Sequence, residues 1–141
     1  MEEKQPLRPK VLIVDDEERF RKTLSKLLVA QGLEVYSAGS GEESLEFISN
    51  HNVDIVLLDM RMPGMNGIDT LTAIKKIDPS IEVIMLTGHA SVDVAVEIMK
   101  RGGYEYLLKP CDIDELMIKI DSAFERRMTR LKQFSQRTSL S

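Results

Sequence analysis

The sequence predicts an α/β fold: a doubly wound, five-stranded parallel sheet in the strand order 2-1-3-4-5, with helices on both faces. Three observations predict it. Five short, almost wholly apolar runs recur along the chain, each followed by a segment of helical periodicity; strands this apolar are buried on both sides, as in parallel sheets. Residues suited to capping helices stand at several of the junctions. The carboxyl ends of four runs carry acids, a threonine and a lysine, at the edge where open α/β sheets bind their ligands.

The first run, KVLIVDD (10–16), is bounded by Pro9 and ends in paired acids. ERFRKTLSKLLVAQG (18–32) then puts Phe20, Leu24, Leu27 and Leu28 on one helical stripe and stops at Gly32. EVYSA (34–38) is a short second strand, and Ser40 with Glu43 makes a capping box for a helix carrying Leu45, Phe47 and Ile48. DIVLLD (54–59) is the third strand, and Asn66, followed by Asp69, caps a helix whose stripe includes Leu71 and Ile74. IEVIMLT (81–87) is the fourth. SVDVAVEIMKRGG (91–103) follows as a helix read with Val92, Ala95, Val96 and Met99 inward and ended by two glycines. YEYLLK (104–109) is the fifth, and Asp112 with Glu115 opens a helix at about residue 113. Crossovers are right-handed and helices must reach both faces, so the first run falls at the switch point of the sheet.

The bulk properties narrow the class. At 141 residues, 43% hydrophobic and 30% charged, the chain reads as one globular domain with a real core, not as a disordered segment. A net charge of −4 gives no overall signal for a nucleic-acid or membrane surface. The single cysteine, Cys111, cannot form an intramolecular disulfide and suits a reducing, cytoplasmic setting. The charged N-terminus does not read as a signal peptide, and no apolar run approaches a membrane span. One cysteine and two histidines form no Cys/His cluster, which excludes a zinc site. Charge is uneven: five basic residues against Glu125 give residues 125–141 a net +4, leaving −8 on the rest.

The third run raises a specific question. Four apolar residues end on Asp59, where a carboxylate at the edge of a core costs several kcal/mol to desolvate unless something pairs with it. Strands one and four flank strand three, about 4.8 Å away on either side, so the order brings Asp59 close to Asp16 and Thr87. Lys109 starts one strand further out and can reach back on its four-carbon stem. Carboxylates this crowded cannot all ionise unaided; a divalent cation relieves the repulsion, and all-oxygen ligands with room for water and phosphate favour Mg²⁺. One Asp59 oxygen can bind such an ion while the other stays free as a nucleophile for a phosphoryl group. Lys109 and the Thr87 hydroxyl supply a counter-charge and a donor for the transferred oxygens. Pro63-Gly64 then turns the chain away so that the loop can wrap the metal.

The segments VLIVDDE, DIVLLDMRMPGMNG, VIMLTGHA and YEYLLKP together closely resemble the receiver domain of bacterial two-component response regulators, over about residues 9–125. The resemblance implies a flavodoxin-like (βα)5 fold, with Asp59 as phosphoacceptor. It assigns Mg²⁺ to Asp15, Asp16, Asp59 and the backbone carbonyl of Arg61, and makes Thr87 and Lys109 site residues. It implies a phosphohistidine on a sensor histidine kinase as donor, small donors such as acetyl phosphate as substitutes, and a cis peptide before Pro110. Tyr106 matches the family's switch aromatic: Thr87 moves toward the phosphoryl group, Tyr106 fills the vacated space, and the face of helix four, strand five and helix five is remodelled for a downstream output domain or protein. Such a chain is a signalling domain that assists its own phosphorylation and dephosphorylation, not an enzyme in the usual sense. Gly103, Glu105 and Cys111 depart from the residue types frequent in the family, and none carries the chemistry. His89 and Arg61 stand at positions that vary with dephosphorylation rate; His89 reads as a bystander at the rim. A phosphohydrolase of the haloacid dehalogenase type would need an Asp where Arg61 stands.

The domain layout expected is an N-terminal extension (1–8), a receiver unit (9–125) and a basic tail (126–141). Along the last helix Met117, Ile120, Phe124, Met128, Leu131 and Phe134 recur at spacings of three or four. That seam continues past what one sheet-covering helix needs. It fits a helix pairing with a second copy as a short coiled coil, the start of a linker to an output domain, or a frayed amphipathic end. These residues contain no helix-turn-helix, so direct nucleic-acid binding and membrane association are not expected of them.

Overall fold

The computed structural model describes residues 8–88 and 91–139. Strands β1 (Lys10–Val14), β2 (Glu34–Ala38), β3 (Ile55–Asp59), β4 (Glu82–Thr87) and β5 (Glu105–Leu108) alternate with helices α1 (Glu18–Ala30), α2 (Gly41–Asn50), α3 (Gly67–Ile77), α4 (Val92–Lys100) and α5 (Ile113–Ser139). All four strand pairings are parallel, in the order β2-β1-β3-β4-β5. The order expected from the sequence is therefore the one observed. Asp15, Asp16 and Lys109 lie just past the strand ends rather than within them.

Alternation along the strands divides the core between the two faces of the sheet. Leu12, Val14, Val56, Leu58, Val83 and Met85 pack with Ile48, Leu71, Ile74 and Ile98 from α2, α3 and α4. The intervening residues, Val11, Ile13, Ile55, Leu57, Ile84 and Leu86, pack with Leu24 and Leu28 from α1 and with Leu116, Ile120 and Ala123 from α5. The caps act as read. Ser40 Oγ accepts from the Glu43 N–H at 3.1 Å, and Glu43 Oε2 accepts in return from Gly39, one residue before the expected position. Asn66 caps α3 through the Asp69 N–H at 2.9 Å.

Two helix faces correct the sequence reading. On α4 the fully buried residue is Ile98, and Val94 packs against the same cluster; Val92, at 80% exposure, Val96 and Met99 face outward. The six apolar residues of α4 spread over a broad arc opposite Asp93, Glu97 and Lys100, and the sheet covers only the Ile98 and Val94 side of that arc. On α1, Leu27 is exposed while Leu24 and Leu28 are buried.

Helix α5 runs 27 residues and changes chemistry along one face. Its first turns bury Leu116, Ile120 and Ala123 on the sheet, with Met117 and Phe124 half-buried beside them. Beyond them the same face presents Arg127, 8% exposed, to the amino ends of β3 and β4. Its Nε donates to Asp54 Oδ1 at 2.8 Å, its Nη1 donates to the Ser80 hydroxyl, and Asp78 lies 3.6 Å away. The other Asp54 oxygen accepts from the Lys10 N–H at 2.8 Å. Next to this, Glu82 is 1% exposed with Arg130 at 3.0 Å and Arg126 at 3.7 Å. Its Oε1 is not aligned for a hydrogen bond, so the attraction there is one of charge. Leu131 and Phe134, further along, are exposed.

Removing one partner of a buried pair leaves the other charge desolvated and alone. Arg127→Ala should therefore lower the unfolding free energy by about 3–5 kcal/mol. Arg126→Ala, at a half-exposed side chain, should cost under about 1 kcal/mol. Urea titration of both variants checks this, and equal midpoints would contradict the assigned role of Arg127.

Candidate functional site

The site forms where β1, β3 and β4 end side by side. Register sets Val14 beside Leu58 and Asp59 beside Leu86, so the residues that follow converge at one rim. Asp15, 2% exposed, is fixed on every side: its N–H donates to the Ala38 carbonyl at 3.2 Å, its Oδ1 accepts from Glu17 N–H at 2.9 Å, and its carbonyl accepts from Arg21 Nη1 at 2.6 Å. Asp16 is exposed and Asp59 half-buried. One oxygen from each of Asp15, Asp16 and Asp59 can be chosen so that all lie within 4.8 Å of one another.

Lys109 reaches across as expected. Its Nζ lies 2.5 Å from Asp15 Oδ2 and 3.4 Å from Asp59 Oδ1, and stands 4.1 Å from the centroid of the Phe20 ring. Its N–H donates to the Thr87 carbonyl at 2.7 Å, which ties the ends of β4 and β5 together, and the Lys109–Pro110 peptide is cis. Thr87 is buried. Tyr106, on β5, packs against the core cluster under α4, and its hydroxyl accepts from the Ser91 N–H at 3.3 Å. Arg61 is exposed in the loop after β3. His89 lies outside the described residues.

Burial is the main reason the Asp59 carboxyl titrates above its ordinary range; the Lys109 ammonium opposes the shift and the Asp15 charge adds to it. An acid whose pKa is raised on folding favours the fold while protonated, and that contribution is lost as pH rises through the carboxylate range. Ionised Asp59 thus works against stability at neutral pH, as expected of a group kept for chemistry.

The loop after β3 is shaped by two glycines. Gly64 takes φ of +77° at the turn, and the following Met65 N–H donates to Glu42 Oε1 at 3.0 Å. At Gly67 a Cβ would stand 2.5 Å from the Asp59 carbonyl oxygen and 2.7 Å from Met60 Cα. Glycine there lets α3 begin directly against the end of β3. The sequence reading brought together Asp15, Asp16, Asp59 and Lys109, but it missed the second-rank supports Arg21, Glu42 and Phe20. Phe20 reads only as the first member of the α1 stripe, and Arg21 and Glu42 carry no pattern that separates them from solvated helix charges.

Fold and site together define a doubly wound α/β domain with a carboxylate and lysine cluster at the carboxyl edge of its sheet. The profile of the response regulator receiver domain matches residues 11–121, and the chain belongs to that family. It is 41% identical over 123 residues to the transcriptional regulatory protein ZraR of Klebsiella oxytoca, covering 87% of this chain and 27% of that one. A response regulator receiver domain protein from Clostridium thermocellum superposes with a TM-score of 0.81 at 41% identity, covering 86% of this chain and 98% of that one. The beryllofluoride-activated NtrC4 receiver domain dimer gives 0.79 at 36% identity, covering 84% and 98%. The chain spans about a quarter of the length of the curated relatives it matches.

Because the two nearest atoms facing Gly67 are backbone, a shift of the Met85 methyl, 3.0 Å away, would not by itself make room for an added methyl. Gly67→Ala should cost about 1–3 kcal/mol by overpacking and displace Asp59, weakening Mg²⁺ binding as well. Calorimetric titration with Mg²⁺ and thermal melting together check this; unchanged metal affinity in a folded variant would contradict it.

Proposed function

We propose that this receiver domain acts in the cytoplasm and accepts a phosphoryl group on Asp59 from a phosphohistidine of a sensor histidine kinase. The observation that carries the reading is one cluster: three carboxylates within 4.8 Å, with an ammonium bridging Asp15 and Asp59. Asp59 Oδ attacks phosphorus as the P–N bond of the donor breaks, and the group passes from imidazole to carboxylate. Lys109 neutralises charge on the transferred oxygens, and the Thr87 hydroxyl donates to one of them.

The donor set fits Mg²⁺. Carboxylates of Asp15, Asp16 and Asp59, with the Arg61 carbonyl, would hold a hard cation. When bound, the ion supplies positive charge that offsets the acids and the incoming phosphoryl group. The domain in this reading assists its own phosphorylation and dephosphorylation.

The response passes through Thr87 and Tyr106 to α4, β5 and α5. The outward turn of α4 supports this: Val96 and Met99 on α4, Leu108 on β5 and Ile118 on α5 are exposed apolar groups, a surface suited to a protein partner or a second copy. The seam of α5 is used on the chain's own sheet as far as Phe124. Leu131 and Phe134 further along are exposed apolar groups, suited to self-association. In this layout residues 1–8 are an extension, 9–125 the receiver unit and 126–141 a tail whose first turn stays fastened by Arg127.

Intact mass after incubation with acetyl phosphate should show a single Mg²⁺-dependent phosphoryl adduct on the wild type and none on Asp59→Asn. An adduct retained by that variant would overturn the assignment. Lys109→Ala should keep its Mg²⁺ affinity and form the adduct about 10²-fold more slowly; a wild-type rate would remove Lys109 from the reaction.

A further inference from the structure

We propose that Phe20 is a positioning residue for phosphoryl transfer, its ring face holding the Lys109 ammonium over Asp59. The inference rests on the reading of Asp59 as phosphoacceptor and adds a residue to it. Among the described residues Lys109 Nζ meets two carboxylates and one ring: Asp15 at 2.5 Å, Asp59 at 3.4 Å and the Phe20 ring at 4.1 Å from its centroid. Two of these have other duties in the proposed reaction, Asp15 as a metal ligand and Asp59 as the acceptor. As Asp15 turns to a cation and Asp59 becomes bonded to phosphorus, the ammonium exchanges these carboxylates for the phosphoryl oxygens, so its anionic partners change during the reaction. The ring quadrupole does not change with either event, so Phe20 offers an attraction that persists through the reaction.

The surroundings strengthen that contact. Phe20 packs into the α1 and α5 side of the core and lines a small apolar cleft with Leu24, Leu86 and Pro110, directly beside Lys109. A cation over an aromatic face gains more as water is removed. Lys109 is itself only partly exposed, with 21% of its side chain accessible. A leucine would fill the same place on the α1 stripe, so apolar packing alone does not require an aromatic residue here. The aromatic face is what the ammonium uses.

Two readouts on the full chain test this, with Phe20→Leu removing the ring and Phe20→Tyr keeping it. In a carbon–proton spectrum of lysine-labelled protein, the Lys109 ε-methylene, assigned by its loss in Lys109→Arg, should be shifted upfield by the ring current. Phe20→Leu should abolish that shift and Phe20→Tyr preserve it. With acetyl phosphate and Mg²⁺, Phe20→Leu should form the adduct about 2- to 30-fold more slowly, the span of exposed to desolvated cation–π contacts. Its Mg²⁺ affinity should stay at the wild-type value, and Phe20→Tyr should restore the rate. An unshifted wild-type ε-methylene, an unchanged rate in Phe20→Leu, or a parallel loss of Mg²⁺ affinity would overturn the proposal. A wild type with the ring-current shift but no adduct would overturn the reading of Asp59 instead, leaving the placement of Lys109 by Phe20 supported.

Discussion

Three carboxylates with oxygens within 4.8 Å of one another repel by roughly 3–4 kcal/mol per pair at an effective dielectric of about 20. No chain would gather them by local preference; they converge because β1 and β3 are neighbours and both end at the same level. The convergence is enforced by burial. Residues 11–14 and 55–58 are inaccessible to solvent or nearly so, and sliding either strand by one residue would turn its apolar side chains from one packed face to the other. The core thus holds a charge arrangement that is unfavourable in itself. Lys109 offsets the Asp15 charge at Asp59, and burial is the main reason the Asp59 carboxyl still titrates above its ordinary range.

Strand β3 shows the same residue type used in two ways. Asp54 precedes the strand and Asp59 ends it. Asp54 is paired on both oxygens, by Arg127 and by the Lys10 N–H, and nearby Asp78 and Glu82 also face guanidinium groups of α5. At the other end Asp15 and Asp59 share the Lys109 ammonium, with Asp16 beside them. The amino edge of the sheet is electrostatically closed and the carboxyl edge is left short of positive charge, and that shortage makes the edge receptive to a cation. Helix α5 bears on both edges: the loop that begins it carries Lys109, and its far turns supply Arg126, Arg127 and Arg130.

How much of this is legible in the sequence depends on whether a residue's role is set by its own position or by its neighbours. The strand order, Asp59, Asp15, Asp16 and Lys109 follow from runs that end on charged groups, because position along a strand dictates where such groups fall. The inward face of α4 does not follow, since its apolar residues cover a broad arc and only the sheet decides which part of it is covered. Arg127 reads as one more charge in a basic tail; its burial depends on Asp54, Asp78 and Ser80, residues 47 to 73 positions away. Phe20 is legible as core and illegible as a neighbour of Lys109, because one side chain can do both and periodicity reports only the first.

The path from Asp59, the proposed acceptor, to the outer face is short and made of bonded groups. The Thr87 carbonyl accepts from Lys109 N–H. Beyond Thr87, Ser91 both caps α4 through the Val94 N–H and donates its own N–H to the Tyr106 hydroxyl. A displacement at Thr87 therefore meets the α4 cap and the Tyr106 ring within four residues. Contiguity alone is not coupling, which requires an element with two arrangements that the site biases unequally. Tyr106 is half-buried and joined to the α4 cap through the Ser91 N–H, which places it where a change at Thr87 would be felt. A covalently attached phosphoryl group adds nearly two negative charges within reach of Thr87 and Lys109. A group of that charge needs to favour one arrangement over the other by only a few kcal/mol to reverse their populations. In the proposed switch Asp15 and Asp59 stay fixed to the sheet, and the Tyr106–Ser91 contact is where the two arrangements would differ.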